Sequence, residues 1–485
     1  SMATSQDHSP KQSSSSSSSS PVLVVIVPFP AQSHLNQLLQ LSHVVSSYDI
    51  PVHYVATALH NSQVKSRASN ALHHLTKIQF HDFPTPHFLS PQPSKTPSNF
   101  PSHLMPAFEA CVHLRQPFSD LLTKLSTTAK RVVVIHDPLM SFVVQDSASL
   151  VPNSEAYLFH CISAISKFSS LRDAMEGGDS GVDHDNQPKI PSLKESIDPR
   201  FEAFLADQIP LVKVNKSGHL YNTCRLIESD FLDFILEKER ENDDNTKLWA
   251  IGPLETVTIF KKMPLDSISD DSERDYYLEW LKKQRPNSVL YVSFGTTTFL
   301  EDKQIEEIAI GLEKSEVNFI WVLRDADKGD IFDEERVRRP ELPKGFEERV
   351  KGMGMVVREW VPQLEILGHP STGGFMSHCG WNSCLESMSL GVPIVAWPMH
   401  SDQPMNAVLI TEFLKVGLAV REWGEGEDLV KSSVIEKVVK RLMASNEGDE
   451  IRKRAEELGG ELRKATAEGG VSRKELDSFI SHITR

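Results

Sequence analysis

Two residues far apart in the chain are placed to move a proton. His34 follows a continuous β-branched run, "VLVVIVPFP" at 22–30, and opens the first helical pattern, so it sits on a strand-to-helix loop. Asp137 ends a second such run, "RVVVIHD" at 131–137. Parallel strands bring their carboxyl ends to one edge of a sheet, where such loops face a cleft, so the two side chains can meet there. A histidine's ordinary pKa near neutrality suits a general base. Taken singly, His34 reads equally as a helix start and Asp137 as a turn residue at a strand end.

A second constellation is "HCGWNSCLES" at 378–387, directly after the apolar-flanked "GGFMS". The pattern predicts a strand ending near Ser377, a turn at Gly380 and a helix from Ser383 to Leu390. A helix N-terminus presents unpaired backbone N–H groups and the positive end of the helix dipole, which suits phosphate oxygens. His378, Asn382 and Ser383 add side-chain donors. Glu386 shares the helix face of Asn382 and Ser383, where it can accept from a ribose diol, so the spacing fits a nucleotide diphosphate. The competing reading makes Ser383 an N-cap and Glu386 its capping-box partner, with no ligand. A zinc site from His378, Cys379 and Cys384 lacks a fourth ligand and the paired short spacings.

These groups need elements to hold them. Leu35, Leu38, Leu39 and Val45 recur at helical spacing after the first strand, and "VHYVAT" at 52–57 reads as the next strand. Strand, helix and strand make a βαβ unit, so the fold class is α/β with a parallel sheet and helices on both faces. The stretch 252–275 turns polar and charged. A new alternating series follows, with strands at 288–298, 319–325, 355–360, 373–377 and 393–398, a helix at 301–314 and three helical patterns between 431 and 485. At 485 residues the chain is long for one core, and two lobes imply a cleft. The expected division is a disordered Ser-rich tail at 1–21, an N-terminal domain at 22–252, a linker at 253–275, a C-terminal domain at 276–465 and a last helix at 466–485.

A formal charge of −15 argues against a nucleic-acid or anionic-membrane surface. Five scattered cysteines suit a reducing compartment rather than a disulfide scaffold, so the cytoplasm is expected. No stretch reaches the ~18 apolar residues of a membrane span. The first strand is followed by "VPFPAQSH", which has no glycine, so a dinucleotide-binding G-x-G-x-x-G and a dehydrogenase are excluded.

The run from Trp360 to Gln403, "WVPQLEILGHPSTGGFMSHCGWNSCLESMSLGVPIVAWPMHSDQ", resembles without a gap the signature box of plant UDP-sugar-dependent glycosyltransferases. "PFPAQSHLNQLLQLS", "FPSHLMP", "VSFGTTT" and "ELPKGFEERV" extend the likeness, over about residues 22 to 485, to the zeatin O-glucosyltransferase branch of that family. The resemblance implies GT-B architecture: two facing Rossmann-like domains, UDP-sugar on the C-terminal one, acceptor on the N-terminal one, and the final helix crossing back. It implies that Trp360 stacks on uracil, Gln363 bonds the uridine and Glu386 holds the ribose. His378, Asn382 and Ser383 would grip the diphosphate, with Ser293 and Thr296 as further donors. Trp381 belongs to the same box, and Asp402 and Gln403 would bind sugar hydroxyls, a terminal Gln being the usual pattern for glucose donors.

The same resemblance makes His34 the base of an inverting transfer and Asp137 the acid that holds it. Ser33 replaces the glycine usual before that histidine and could tighten the acceptor pocket. His136 should point to the opposite face from Asp137 by strand alternation. Phe88, Phe100, Phe108 and Phe159 are candidates for an apolar acceptor pocket. The expected activity is glucosylation of a small plant hydroxyl such as zeatin's, by a monomer needing no metal or cofactor. The alternatives are O- or C-glycosylation of flavonoid phenols, and a non-catalytic UDP-sugar or hormone-binding module, which would have no use for His34 and Asp137.

Overall fold

The computed structural model describes residues 21–67, 77–89, 91, 100–175, 187–212, 217–254, 272–295, 298, 300–324, 340–424 and 429–485. The Ser-rich tail save Pro21, most of the linker and Thr296 lie outside the described residues.

The first half builds a sheet from β1 (Val22–Val27), β2 (Val52–Thr57), β3 (Ile78–Phe83), β4 (Arg131–His136), β5 (Ser154–His160), β6 (Gly218–Tyr221) and β7 (Leu248–Ala250). The second builds one from β8 (Val289–Ser293), β9 (Asn318–Val322), β10 (Gly354–Val357), β11 (Thr372–Ser377), β12 (Ile394–Ala396) and β13 (Gly417–Ala419). The spatial orders are β3-β2-β1-β4-β5-β6-β7 and β10-β9-β8-β11-β12-β13. Every pair is parallel. This is the two-domain α/β architecture that the resemblance implies.

In each sheet the strand order reverses once, between β1 and β4 and between β8 and β11. A crevice opens outside the carboxyl ends of the strands at such a switch point, and ligands bind there. The register sets Val27 beside His136 in the first sheet and Ser293 beside Ser377 in the second. His34 and Asp137 therefore follow the two strands flanking one crevice, and His378 follows a strand flanking the other.

Alternation decides which face each residue takes. Val133 and Ile135 pack with Leu35, Leu38 and Leu39 of the helix Gln32–Ser46, whereas Val132 and Val134 join the opposite core. Asp137 continues the first set and His136 the second. The last helix, Val471–Ile483, inserts Leu476, Phe479, Ile480 and Ile483 into the core of the first sheet. It is fixed there by Arg131 Nη1 donating to the Ile483 carbonyl at 2.9 Å and by Ala250 N donating to Glu475 at 3.1 Å.

The interior holds several uncharged imidazoles. Burial lowers His60, His136 and His378 to about 4 from an ordinary 6.5. Between those values the unfolded chain takes up protons that the folded chain refuses. Stability is thus full above about pH 6.5 and falls as pH drops below it, by up to ~1.4 kcal/mol per pH unit for each such group. Thermal unfolding from about pH 7 to about pH 4.5 is expected to show a midpoint that falls steadily; a midpoint flat down to about pH 5 would contradict it.

Candidate active site

The β1 loop and the β4 end bring the candidate pair, His34 and Asp137, together. His34 Nδ1 lies 2.5 Å from Asp137 Oδ2. Asp137 is buried, and its other oxygen accepts from Leu139 N at 2.9 Å, so the carboxylate cannot turn away. With Nδ1–H committed to Asp137, the neutral ring keeps Nε2 as its proton acceptor. The His34 side chain is 19% exposed, enough to reach an acceptor. Burial would lower its pKa, but the Asp137 charge and hydrogen bond, with a contribution from Asp402, outweigh burial and raise it.

Cys161 brings its sulfur into the same cluster, where burial and Asp137 hold the thiol well above its usual range. His34, Asp137 and Cys161 do not fit a bound metal as they stand. Two ligands each about 2.0–2.2 Å from a tetrahedral zinc stand more than about 3 Å apart, farther than the 2.5 Å between Nδ1 and Oδ2. His136 lies on the other face, its Nδ1 paired with the Asp137 carbonyl oxygen at 2.8 Å, and plays no part in the pair.

The donor turn starts sooner than its sequence suggests. The helix runs Trp381–Ser389 rather than from Ser383, with Gly380 at its N-cap and no side chain capping it. The capping-box reading therefore fails: Ser383 is inside the helix, and its Oγ accepts from Gln363 Nε2 at 3.2 Å. Glu386 instead accepts from Gln363 Nε2 at 2.7 Å, and Tyr291 OH donates to Gln363 Oε1 at 2.9 Å. Gln363, Ser383 and Glu386 thus form one polar cluster beside Trp360, which is 50% exposed and carries Arg324 4.3 Å from its ring centroid.

His378 is half-buried, desolvation lowers its pKa to about 4, and its buried Nδ1 has no hydrogen-bond partner among the described residues. Gly295, with φ +77°, is required beside it, since a Cβ there would meet His378 Nε2 at 2.6 Å. Ser293 is buried at the end of β8. Cys379 adopts φ +67°, rare without a glycine, and is held by its N–H donating to Ser377 Oγ at 3.0 Å.

Asn382 connects the two constellations: its Nδ2 donates to the Ser33 carbonyl at 3.2 Å, next to His34. The Ser33 side chain is exposed. Burial raises the Asp402 carboxyl, opposed by hydrogen bonds including that of Asn406 and by the His34 charge. Gln403 Oε1 accepts from the backbone N–H of Met399 and of His400, each at 2.9 Å, which rigidifies the loop carrying Asp402.

Three further expected residues are placed as follows. Trp381 is buried between the domains and donates Nε1–H to the Asn222 carbonyl at 2.8 Å. Phe159 is fully buried with the core of the helix Gln32–Ser46, because its place on β5 turns it to that face. Phe88 is half-buried in a loop. Phe108 and Phe100 join an aromatic chain that also includes Phe29, Phe201 and Phe204. Phe29 stands 5.4 Å from His34 and 4.6 Å from Phe108, Phe201 stands 6.2 Å from Phe108 and 4.8 Å from Phe100, and Phe100 stands 5.9 Å from His400. Phe29, in "PFP" directly ahead of His34, was the signal available for it.

Residues 20–256 match the glycosyltransferase N-terminal domain model, and residues 276–438 match that of "UDP-glucoronosyl and UDP-glucosyl transferase". The chain is 52% identical to the zeatin O-xylosyltransferase of Phaseolus vulgaris, over 95% of this chain and 98% of that protein. It is 51% identical to the zeatin O-glucosyltransferase of Phaseolus lunatus, over 95% and 96%. Among solved structures, a UGT of Medicago truncatula complexed with UDP-glucose superposes with a TM-score of 0.71 at 26% identity, covering 96% of this chain and 99% of that one. A UGT transferase from Siraitia grosvenorii in complex with UDP gives 0.73 at 27% identity, covering 96% and 100%. Among the described residues no helix is long and apolar enough to cross a membrane. With both halves matched to their family models and relatives aligned along nearly the whole length, the chain belongs to the UDP-glycosyltransferases, a family of sugar-transferring enzymes.

Proposed function

We propose that this enzyme transfers glucose from UDP-glucose to a hydroxyl of a small plant acceptor, zeatin first among them, in a single inverting displacement. The observation that carries the reading is the His34–Asp137 pair, 2.5 Å apart, in the first sheet's switch-point crevice and joined to the donor turn through Asn382 and the Ser33 carbonyl. His34 Nε2 takes the acceptor's hydroxyl proton as its oxygen bonds to the anomeric carbon. The bond from that carbon to the phosphate oxygen breaks, and its electron pair leaves with UDP. Asp137 supports the imidazolium so formed.

Trp360 and Gln363 hold the uridine, Glu386 the ribose, and His378, Asn382 and Ser383 the diphosphate, with Ser293 and Thr296 as further donors. Asp402 and Gln403 take the sugar. Phe29, Phe100 and Phe108 wall the acceptor side, with Ser33 at its rim. The enzyme works as a cytoplasmic monomer without a metal. Zeatin as acceptor is supported by the two Phaseolus relatives, which are about equally similar to this chain and differ in the sugar named.

Glu386→Ala is expected to remove one hydrogen bond to a charged group, about 1.5–3 kcal/mol, and so weaken UDP and UDP-glucose binding by roughly 10- to 150-fold. Calorimetric titration with UDP measures it, and unchanged affinity would remove Glu386 from the donor site.

The function itself is tested by mass spectrometry of products from UDP-glucose and UDP-xylose, each offered with trans-zeatin, cis-zeatin and a flavonoid phenol. Hexose addition to a zeatin is the expected result. Pentose addition would reassign the donor, and conversion of the phenol alone would reassign the acceptor. No product from any pair would leave only a binding role.

A further inference from the structure

Asn406 of the helix Gln403–Val408 is fully buried, and its amide is shared by three elements around the cleft. Its Nδ2 donates to Asp402 Oδ2 at 3.0 Å and to the Cys379 carbonyl at 2.9 Å. Its Oδ1 accepts from Ser163 Oγ at 2.5 Å and from Ser166 Oγ at 3.4 Å. Both N–H donors and both lone pairs of the amide are engaged, so neither rotation nor a flip is tolerated: a flip would set the oxygen against a carboxylate and a carbonyl.

The two ends of this amide belong to different domains. Asp402 and Cys379 belong to the C-terminal half, on the sugar loop and the donor turn. Ser163 belongs to the N-terminal half, where it caps the helix Ala164–Ala174 by accepting from Ser166 N at 3.3 Å. That helix start is itself fixed by Glu228, a buried carboxylate accepting from Ala164 N at 3.0 Å and Ile165 N at 2.7 Å. A rigid chain of hydrogen bonds therefore runs from the acceptor domain's helix to the carboxylate beside the sugar.

We propose that Asn406 is a positioning residue that holds the Asp402 carboxylate oriented for the transferred sugar, and that Ser163 of the opposite domain sets Asn406. Sugar recognition is thereby tied to the docking of the two domains. The inference rests on the reading of Asp402 as a sugar-binding group.

A double-mutant cycle in kcat/KM for UDP-glucose tests it, using Asn406→Ala, Asp402→Ala and the double variant, with the affinity for UDP alone as a check on fold and on the uridine subsite. Each single variant is expected to lose roughly 10- to 100-fold, as misplacement of a substrate-positioning group does. The double variant is expected to fall no more than about 3-fold below Asp402→Ala, since residues acting as one unit are not additive. Ser163→Ala, which leaves the donor turn untouched, is expected to show a smaller loss with UDP affinity intact, likewise absorbed in the Asp402→Ala background. It carries the same cycle should Asn406→Ala not fold. Losses that multiply would show Asn406 acting independently of Asp402 and overturn the proposal. An Asp402→Ala enzyme with undiminished kcat/KM would instead remove the sugar role of Asp402, and the proposal with it.

Discussion

Replacing His34 by alanine is expected to lower kcat by roughly 100- to 10,000-fold while leaving UDP affinity within about twofold. The donor already carries a good leaving group, so the protein's main task is to make the attacking hydroxyl a nucleophile. The His34 ring is held by Asp137 on one nitrogen, and its centroid stands 5.4 Å from that of Phe29, proposed to wall the acceptor side. The neighbouring imidazole, His136, is turned to the other face of the sheet and cannot replace it. The residues proposed to hold the uridine and diphosphate belong to the C-terminal half, on elements other than the one carrying the ring. Steady-state rates beside calorimetric UDP binding separate the two effects, and full turnover by the variant would end the general-base assignment.

Asp137→Asn is expected to cost about as much, roughly 100- to 10,000-fold in kcat, although it changes the shape of the site hardly at all. The asparagine oxygen can still accept from Leu139 N, which leaves the amide N–H₂ facing His34 Nδ1. That arrangement favours the tautomer with its proton on Nε2, the atom that must receive one. The pH profile should move as well. His34 is raised above its usual 6.5 by Asp137 against the opposing pull of burial. A base must be neutral to act, so wild-type kcat/KM rises with pH through a midpoint above 6.5, and losing the carboxylate moves that midpoint down while the plateau falls. A variant with an unshifted midpoint would show that Asp137 does not set the protonation of His34.

Of the central strands, β1, β4 and β8 are legible in the sequence because they are buried and read as near-continuous apolar runs, whereas β11, with its two glycines, is marked only by Phe375 and Met376 ahead of the turn. β3, with the half-polar "IQFHDF", lies at an edge of the first sheet. β7 and β13 are three residues each at other edges, too short for any periodicity to show. Of the candidate site, the meeting of His34 with Asp137 could be read because strand ends in a parallel sheet converge by topology. The helix start at Trp381 was displaced because Gly380 caps it without the side-chain cap that marks most helix starts. Trp381, Phe159 and Asn406 could not be placed from spacing alone. Whether a residue faces a ligand, a core or the other domain depends on contacts between residues more than a hundred positions apart, such as Trp381 with Asn222 and Asn406 with Ser163.

The most direct test of a one-step displacement promoted by His34 is the anomeric configuration of the product, read by proton NMR on the glycoside formed from UDP-glucose and trans-zeatin. The donor carries its sugar in the α configuration. Attack on the face opposite UDP, with the His34–Asp137 pair removing the acceptor proton, predicts a β-O-glucoside alone. An α-glucoside, or a mixture of the two formed under enzyme control, would contradict it.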